Sequence, residues 1–360
     1  MNTSELLQLR LYNQLLGSHQ LKEPHEIVSW LGAMQSQTLD MAKWAIGARL
    51  ENKVAKDIDE ALNAGKIIRT HILRPTWHFV SAKDIRWMLD LSAARLKPIY
   101  LSYAKIHGIG ESDIYRTIPF LEKVLTGGKH LTKEEIGSAL QNEKMILDPD
   151  HLRLAISYAE VEGVLVNGGV KRNKQTFTLL EEWVPCMPTI DREEALERLA
   201  RKFFVSHGPA TVSDFAWWSG LSMTECRKGV EMIKTDFICE AVNGREFWMK
   251  NDIEMPPADK VSALLLPPFD EYVVSYKDRS EIIEDAYYGK VMTRNGLFSP
   301  TIMLNGEIVG SWKKIVQKKT VRIELSFFKK TPKKTAALFD TEIKRLENFY
   351  TSNLAVDDRA

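Results

Sequence analysis

Apolar residues recur at helical spacing in several stretches that each end in a short hairpin, and this repeat is the clearest organisation in the chain. Between Arg192 and Val205, Leu196, Leu199, Phe203 and Phe204 mark a helix that Gly208-Pro209 interrupts. Thr211-Val212-Ser213-Asp214 reads as a second helix start, continued by Phe215, Ala216 and Trp218. After Gly220, Ser222-Met223-Thr224-Glu225 spells a capping box and opens a third helix towards Ile233. Phe237 to Val242, then Asn243-Gly244, then Glu246 to Met249 predict two strands around a type I′ turn. Three helices and a hairpin make a winged helix.

The plan recurs upstream. Ile118 to Leu125 predicts one helix, Thr132-Lys133-Glu134-Glu135 caps a second running to Leu140, and Asp150 opens a third through Val161. Strands Val164 to Asn167 and Thr176 to Leu180 flank a basic wing tip with Lys171, Arg172, Asn173 and Lys174. A first, looser copy has helices over Leu6 to Leu16, Pro24 to Leu50 (interrupted) and Ile58 to Asn63. Strands Ile67 to Leu73 and Thr76 to Val80 follow, joined at Arg74-Pro75. After Pro256-Pro257 the pattern turns β-rich: Val261 to Leu266, Tyr272 to Ser275, and a hairpin about Asn305-Gly306, closed by a helix over Lys333 to Tyr350. The expected fold class is α+β: winged-helix units over 1–115, 116–188 and 189–250, then a β-rich portion over 251–360.

Composition changes this picture little. Hydrophobic residues are 44% and charged residues 27%, as in an ordinary folded protein. No apolar run approaches the ~20 residues that span a bilayer. The N-terminal residues show no secretory pattern, and Cys186, Cys226 and Cys239 lie far apart, so a cytoplasmic chain without disulfides is expected. A net charge of +1 excludes a uniformly basic polyanion binder but leaves room for a local stripe. Such a stripe runs through Lys313, Lys314, Lys318, Lys319, Arg322, Lys329, Lys330, Lys333 and Lys334, where alternating Val321, Ile323 and Leu325 predict a strand with charges outward. Repeated winged helices make double-stranded DNA the first candidate partner, with protein–protein contact the alternative. The second wing's Lys171, Arg172 and Lys174 favour DNA; the third wing offers Arg245.

Familiar catalytic signatures are missing: no G-x-S-x-G, no P-loop, no H-E-x-x-H. His19, His25, His107, His130, His151 and His207 read as loop or helix-surface residues, no metal cluster forms among them, and no cofactor is called for. Three polar constellations remain. Gln35-Ser36-Gln37 interrupts an apolar helix; on a regular helix residues i and i+2 point about 200° apart. Both glutamines therefore share a site only on irregular backbone, and otherwise are surface residues. Arg74, Trp77 and His78 can grip a phosphate and stack on a base, or serve as plain strand residues. Asp270, after the strand ending at Leu266, is a polar anchor, a site residue or a turn-former.

In order along the chain, "AMQSQ", "RTHILRPTWHFV", "LLPPFDEYVVSYKDR" and "NGEIVGSW" resemble the tandem winged-helix family of bacterial DNA glycosylases, the AlkZ-like and YcaQ-like proteins. The resemblance covers nearly the whole chain. It implies three winged-helix units and a β-rich portion forming a concave DNA-binding surface, and excision of N7-alkylated purines, crosslinked bases included. The family's catalytic motif is glutamine, an aliphatic residue, then glutamine or aspartate; Gln35 and Gln37 match the AlkZ-like form, while Ser36 departs from it. By this resemblance the glutamines orient water, with Arg74, His78 and Asp270 in support, and the chain works on damaged DNA as a monomer. A non-catalytic winged-helix DNA-binding or regulatory protein and an interaction scaffold are the competing functions.

Overall fold

The repeat read from the sequence is present in the computed structural model, which describes residues 1–171, 174–252, 262–317 and 320–354, the side chains of 352–354 excepted. Helices Arg192–His207, Val212–Ser219 and Met223–Ile233 precede a hairpin of Phe237–Val242 and Arg245–Lys250. Both predicted helix starts close as capping boxes. Thr211 accepts from the Asp214 N–H and Ser222 from the Glu225 N–H, and each carboxylate reaches back to its cap. The turn falls where only residues tolerant of positive φ fit: Asn243 at φ 50° and Gly244 at φ 76°.

The chain forms two compact units. One comprises Met1–Ile58 with Ala200–Ala360, the other Asp59–Leu199. In the first, the helix Thr3–Asn13 buries Leu6, Leu7 and Leu11 against Phe247, Leu266, Tyr272, Met303 and Ile308. A four-stranded antiparallel sheet runs in the order Thr320–Phe327, Glu307–Gln317, Thr301–Leu304, Ala263–Leu266. Val321 and Ile323 are buried while Arg322 and Glu324 are exposed, as the alternation requires. The Trp44 indole N–H donates to the Leu265 carbonyl at 2.6 Å, and that of Trp312 to the Leu266 carbonyl at 2.8 Å.

In the second unit the helix Lys133–Asn142 starts at the Thr132–Glu135 capping box, and Pro149–Val161 follows. A three-stranded sheet has the order Leu131–Thr132, Lys174–Leu179, Leu165–Lys171. Leu96, Tyr100, Leu121, Ile136, Leu154, Ala155 and Phe177 share its core. Helix-and-hairpin units resembling winged-helix domains thus recur in an α+β fold.

Several expectations are corrected. Tyr272 to Ser275 is not a strand: Glu271–Val274 is a helical turn capped by Asp270. All four of its residues are buried, and an apolar run buried on every side carries no periodicity to separate strand from helix. The interruption expected within Pro24 to Leu50 is present, as Pro24–Leu31, a strand Ala33–Gln35 and Leu39–Gly47, broken at Gly32 with φ 79°. The strand expected to reach Leu73 stops at His71, because Leu73 takes φ 60° before Arg74-Pro75. The closing helix is divided into Lys333–Ala336, a 3-10 turn Ala337–Phe339 and Asp340–Leu354. A helix of 22 residues, Ile85–Ile106, had no counterpart in the sequence pattern. Among the described residues no helix is long and apolar enough to cross a membrane.

Candidate active site

The interruption at Gln35-Ser36-Gln37 is a true break in helical backbone, so the helical constraint that would hold the two glutamines apart is absent. Gly32 ends the preceding helix in a conformation that a side chain resists, and Ala33–Gln35 continues as extended chain. Gln35 is 7% exposed and Ser36 0%, whereas Gln37 lies at the surface. The segment therefore climbs from the interior to solvent within three residues.

A buried carboxylate holds it there. The Gln35 N–H donates to Glu271 Oε1 at 2.6 Å. Glu271 Oε2 accepts from the Trp218 indole N–H at 3.0 Å and from the Ser275 hydroxyl at 2.6 Å. His207 Nε2 stands 3.5 Å from that same oxygen, longer than a good hydrogen bond. Burial pushes the Glu271 carboxyl up, but His207, the Ser275 hydroxyl and the Gln35 N–H outweigh it and hold it down at about 2. Burial pushes His207 below its usual value. His207 is thus no surface residue: it is 0% exposed and stacks on Phe203 with centroids 4.9 Å apart. It continues the buried face of the helix Arg192–His207 four residues after Phe203, and the Trp218 ring of the next helix lies 5.4 Å from it.

Asp270, one residue earlier, lies in the interior. The Arg49 guanidinium grips its carboxylate with Nη1 at 2.8 Å and Nη2 at 2.9 Å, and Oδ1 also accepts the Tyr272 N–H at 2.9 Å. Arg49 donates further to the Ala45 and Gln14 carbonyls. The Gln14 amide donates to the Tyr276 hydroxyl, which donates to the His207 carbonyl. In this unit the structure joins the Gln35 segment to the Phe269–Tyr276 stretch, two of the ordered sequence motifs. Glu271, His207, Trp218 and Arg49 carried no sequence signal of their own. Glu271 stood in view beside Asp270, between two stretches read as strands.

The remaining candidates divide. Arg74, Trp77 and His78 sit together on the hairpin of Ile67–His71 and Trp77–Ser81 in the other unit. Arg74 Nη2 lies 3.4 Å from His78 Nε2, and His78 is buried with Nδ1 3.0 Å from the Thr76 carbonyl. The Trp77 ring carries the Arg69 guanidinium at 4.2 Å and the His71 ring at 4.6 Å. Lys171 and Lys174 are exposed but paired with Glu135 at 2.5 Å and Glu134 at 3.7 Å. Arg172 lies outside the described residues, as do Lys318 and Lys319. Arg245 pairs with Asp278 at 2.6 Å and with Glu281. On the strands Glu307–Gln317 and Thr320–Phe327, Lys313 and Arg322 are exposed, while Lys314 pairs with Asp40 and lies 3.8 Å over the Tyr350 ring. Among the described residues no group of three or more His, Cys, Asp or Glu is placed to hold a metal ion.

An α+β chain with helix-and-hairpin units like winged helices, and a polar segment set into one of its breaks, defines a winged-helix class of protein. Residues 28–349 match the family model described as DNA glycosylase AlkZ-like, and the chain belongs to that family. The solved structure of Streptomyces sahachiroi DNA glycosylase AlkZ is similar in fold, with TM-score 0.78 and 20% identity over 96% of this chain and 97% of that one. Comparison with curated proteins gives no significant match.

Proposed function

We propose that this protein is a monofunctional DNA glycosylase that hydrolyses the N-glycosidic bond of N7-alkylated purines, interstrand crosslinks included. Membership of the AlkZ-like family supports a DNA-repair role in general. The observation that carries the finer reading is the placement of Gln35-Ser36-Gln37 on non-helical backbone, one glutamine inside and one at the surface, anchored by a buried carboxylate.

Alkylation at N7 leaves the purine cationic, so the bond to the sugar is weakened before the protein acts. The C1′–N9 bond breaks with its electron pair going to the base, which departs neutral. Water adds at C1′ and its proton passes to solvent. Glutamine is no base near neutrality, but its amide can orient that water and face the cationic sugar with its oxygen. One such contact is worth about 3 kcal/mol, the scale of a single oxyanion donor. That suffices for a weakened bond and not for an intact one, so undamaged bases stay in place.

In this reading 1–115, 116–188 and 189–250 are three tandem winged-helix units, and 251–360 completes a concave DNA-binding surface. Arg74, Trp77, Lys171, Arg172, Lys174 and Arg245 contact the duplex; His78, which is buried and so corrected from a contact to a support, steadies Arg74, and Asp270 supports the site from within. Lys171, Lys174 and Arg245 exchange their carboxylate partners for phosphate on binding. The protein acts as a cytoplasmic monomer and needs no cofactor. A second reading, a non-catalytic DNA-binding or regulatory protein, is favoured by Ser36 where the family's motif has an aliphatic residue.

One assay separates them. Duplex carrying N7-methylguanine is incubated with protein and then treated with alkali, which cleaves the strand where the base is missing. Wild type is expected to cleave and Gln37→Ala to lose excision with binding nearly unchanged. Intact DNA binding without release of any N7 adduct refutes the glycosylase and leaves the binder.

A further inference from the structure

We infer that Glu271 is a positioning residue for excision, fixing through the Gln35 N–H the backbone from which Gln35 and Gln37 present their amides. The inference rests on the glycosylase reading above and goes beyond it, because Glu271 is outside the glutamine motif and lies buried in the interior.

The geometry shows a hierarchy. Arg49 grips Asp270 and so fixes the start of the helical turn Glu271–Val274. Trp218 and Ser275 hold Glu271 Oε2, which leaves Oε1 aimed at the Gln35 N–H. Three donors meet one carboxylate, and all of them need an acceptor. Only an ionised carboxylate offers acceptors in every direction. A buried anion is costly where a neutral group would serve, and at 2.6 Å its bond to Gln35 is shorter than an ordinary neutral N–H···O bond. Gln35 and Ser36 are buried on this anchor, and Gln37 follows at the surface. Holding a water for attack is sensitive to position: a shift of about 1 Å costs roughly 100-fold in rate.

Glu271→Gln keeps the shape and removes one acceptor. If its oxygen faces Gln35, its NH2 opposes the Trp218 N–H; turned round, the NH2 opposes the Gln35 N–H. Release of N7-methylguanine in single turnover is expected to slow by roughly 10- to 100-fold, with the DNA Kd within about twofold of wild type. A residue needed only for folding would not split the two in this way. Amide hydrogen exchange reads the anchor directly. In wild type the Gln35 amide is expected to be protected like Met303 in the sheet, and Gln37 far less. In the variant, protection at Gln35 is expected to fall at least tenfold relative to Met303.

Wild-type excision rate together with unchanged Gln35 protection in Glu271→Gln overturns the inference. So does a wild-type Gln35 amide that exchanges as fast as that of Gln37, a measurement that needs no variant to fold. Absence of excision by wild type refutes the glycosylase reading instead, while exchange at Gln35 still reports whether Glu271 holds the segment.

Discussion

Replacing Asp270 with alanine removes the carboxylate opposite Arg49 and leaves a guanidinium whose side chain has no exposed surface. Breaking a buried pair by removing one partner costs about 3–5 kcal/mol, because the surviving charge stays desolvated. Arg49 keeps the Ala45 carbonyl, the Gln14 carbonyl and the Gln14 side-chain oxygen, so the lower end applies. Loss of the cap on the Tyr272 N–H adds about 0.5–1 kcal/mol. The total is about 3–4 kcal/mol, and for a unit of this size each kcal/mol lowers Tm by about 2–4 °C. Calorimetry should therefore place the Asp270→Ala transition roughly 6–16 °C below wild type. The double variant Arg49→Met with Asp270→Leu removes both charges and is expected to recover most of that loss, since apolar replacement of a whole buried pair is often neutral. A shift below about 2 °C for the single change, or a double variant costing the sum of the two singles, refutes the argument.

Two further outcomes follow from the same structure. Burial lowers the His207 pKa below its usual 6.5, so as pH falls through that value the unfolded chain takes up a proton that the folded chain refuses, and stability drops. Glu271, held at about 2 against the usual 4.5, adds a second loss further into acid, present above 4.5 and gone as pH falls towards 2. Denaturant midpoints between about pH 7 and 5 should decline in wild type and flatten in His207→Gln; equal slopes would exclude His207 as the source. Lys313→Ala with Arg322→Ala should reduce the slope of log binding constant against log salt by about 0.9 for each phosphate no longer neutralised, measured on undamaged duplex. An unchanged slope removes these strands from the DNA interface.

Local chemistry was legible in the sequence, and long-range partnership was not. Thr211, Ser222 and Thr132 announce helix starts through a carboxylate three residues on, and Asn243-Gly244 and Asn305-Gly306 announce turns through φ values other residues avoid. Those signals are contained within four residues. The helix Ile85–Ile106 carries Pro98 in its interior, where proline usually argues for a break. Of the site, Gln35 and Gln37 were visible as an interruption and gained meaning from the ordered motifs. Glu271 meets Gln35 across 236 positions and Trp218 across 53, so no window of sequence contains the contact. His207 looked like a surface residue because it directly precedes the Gly208-Pro209 break, although it follows Phe203 by four positions and so shares that residue's buried helix face. Asp270 read on pattern as a turn-former, and it does cap the turn Glu271–Val274; its bond to Arg49 makes it an anchor as well.

The strand Ala263–Leu266 stands at the margin of the four-stranded sheet, where a row of unpaired backbone groups would invite a foreign strand. Successive carbonyls along a strand point to opposite sides, so one of Leu265 and Leu266 must face outward. Both already accept an indole N–H, from Trp44 and Trp312 respectively. Pro267 and Pro268 then deny the next two positions any backbone donor. The two indoles and the two prolines thus occupy positions where an added strand would seek acceptors and donors along this margin.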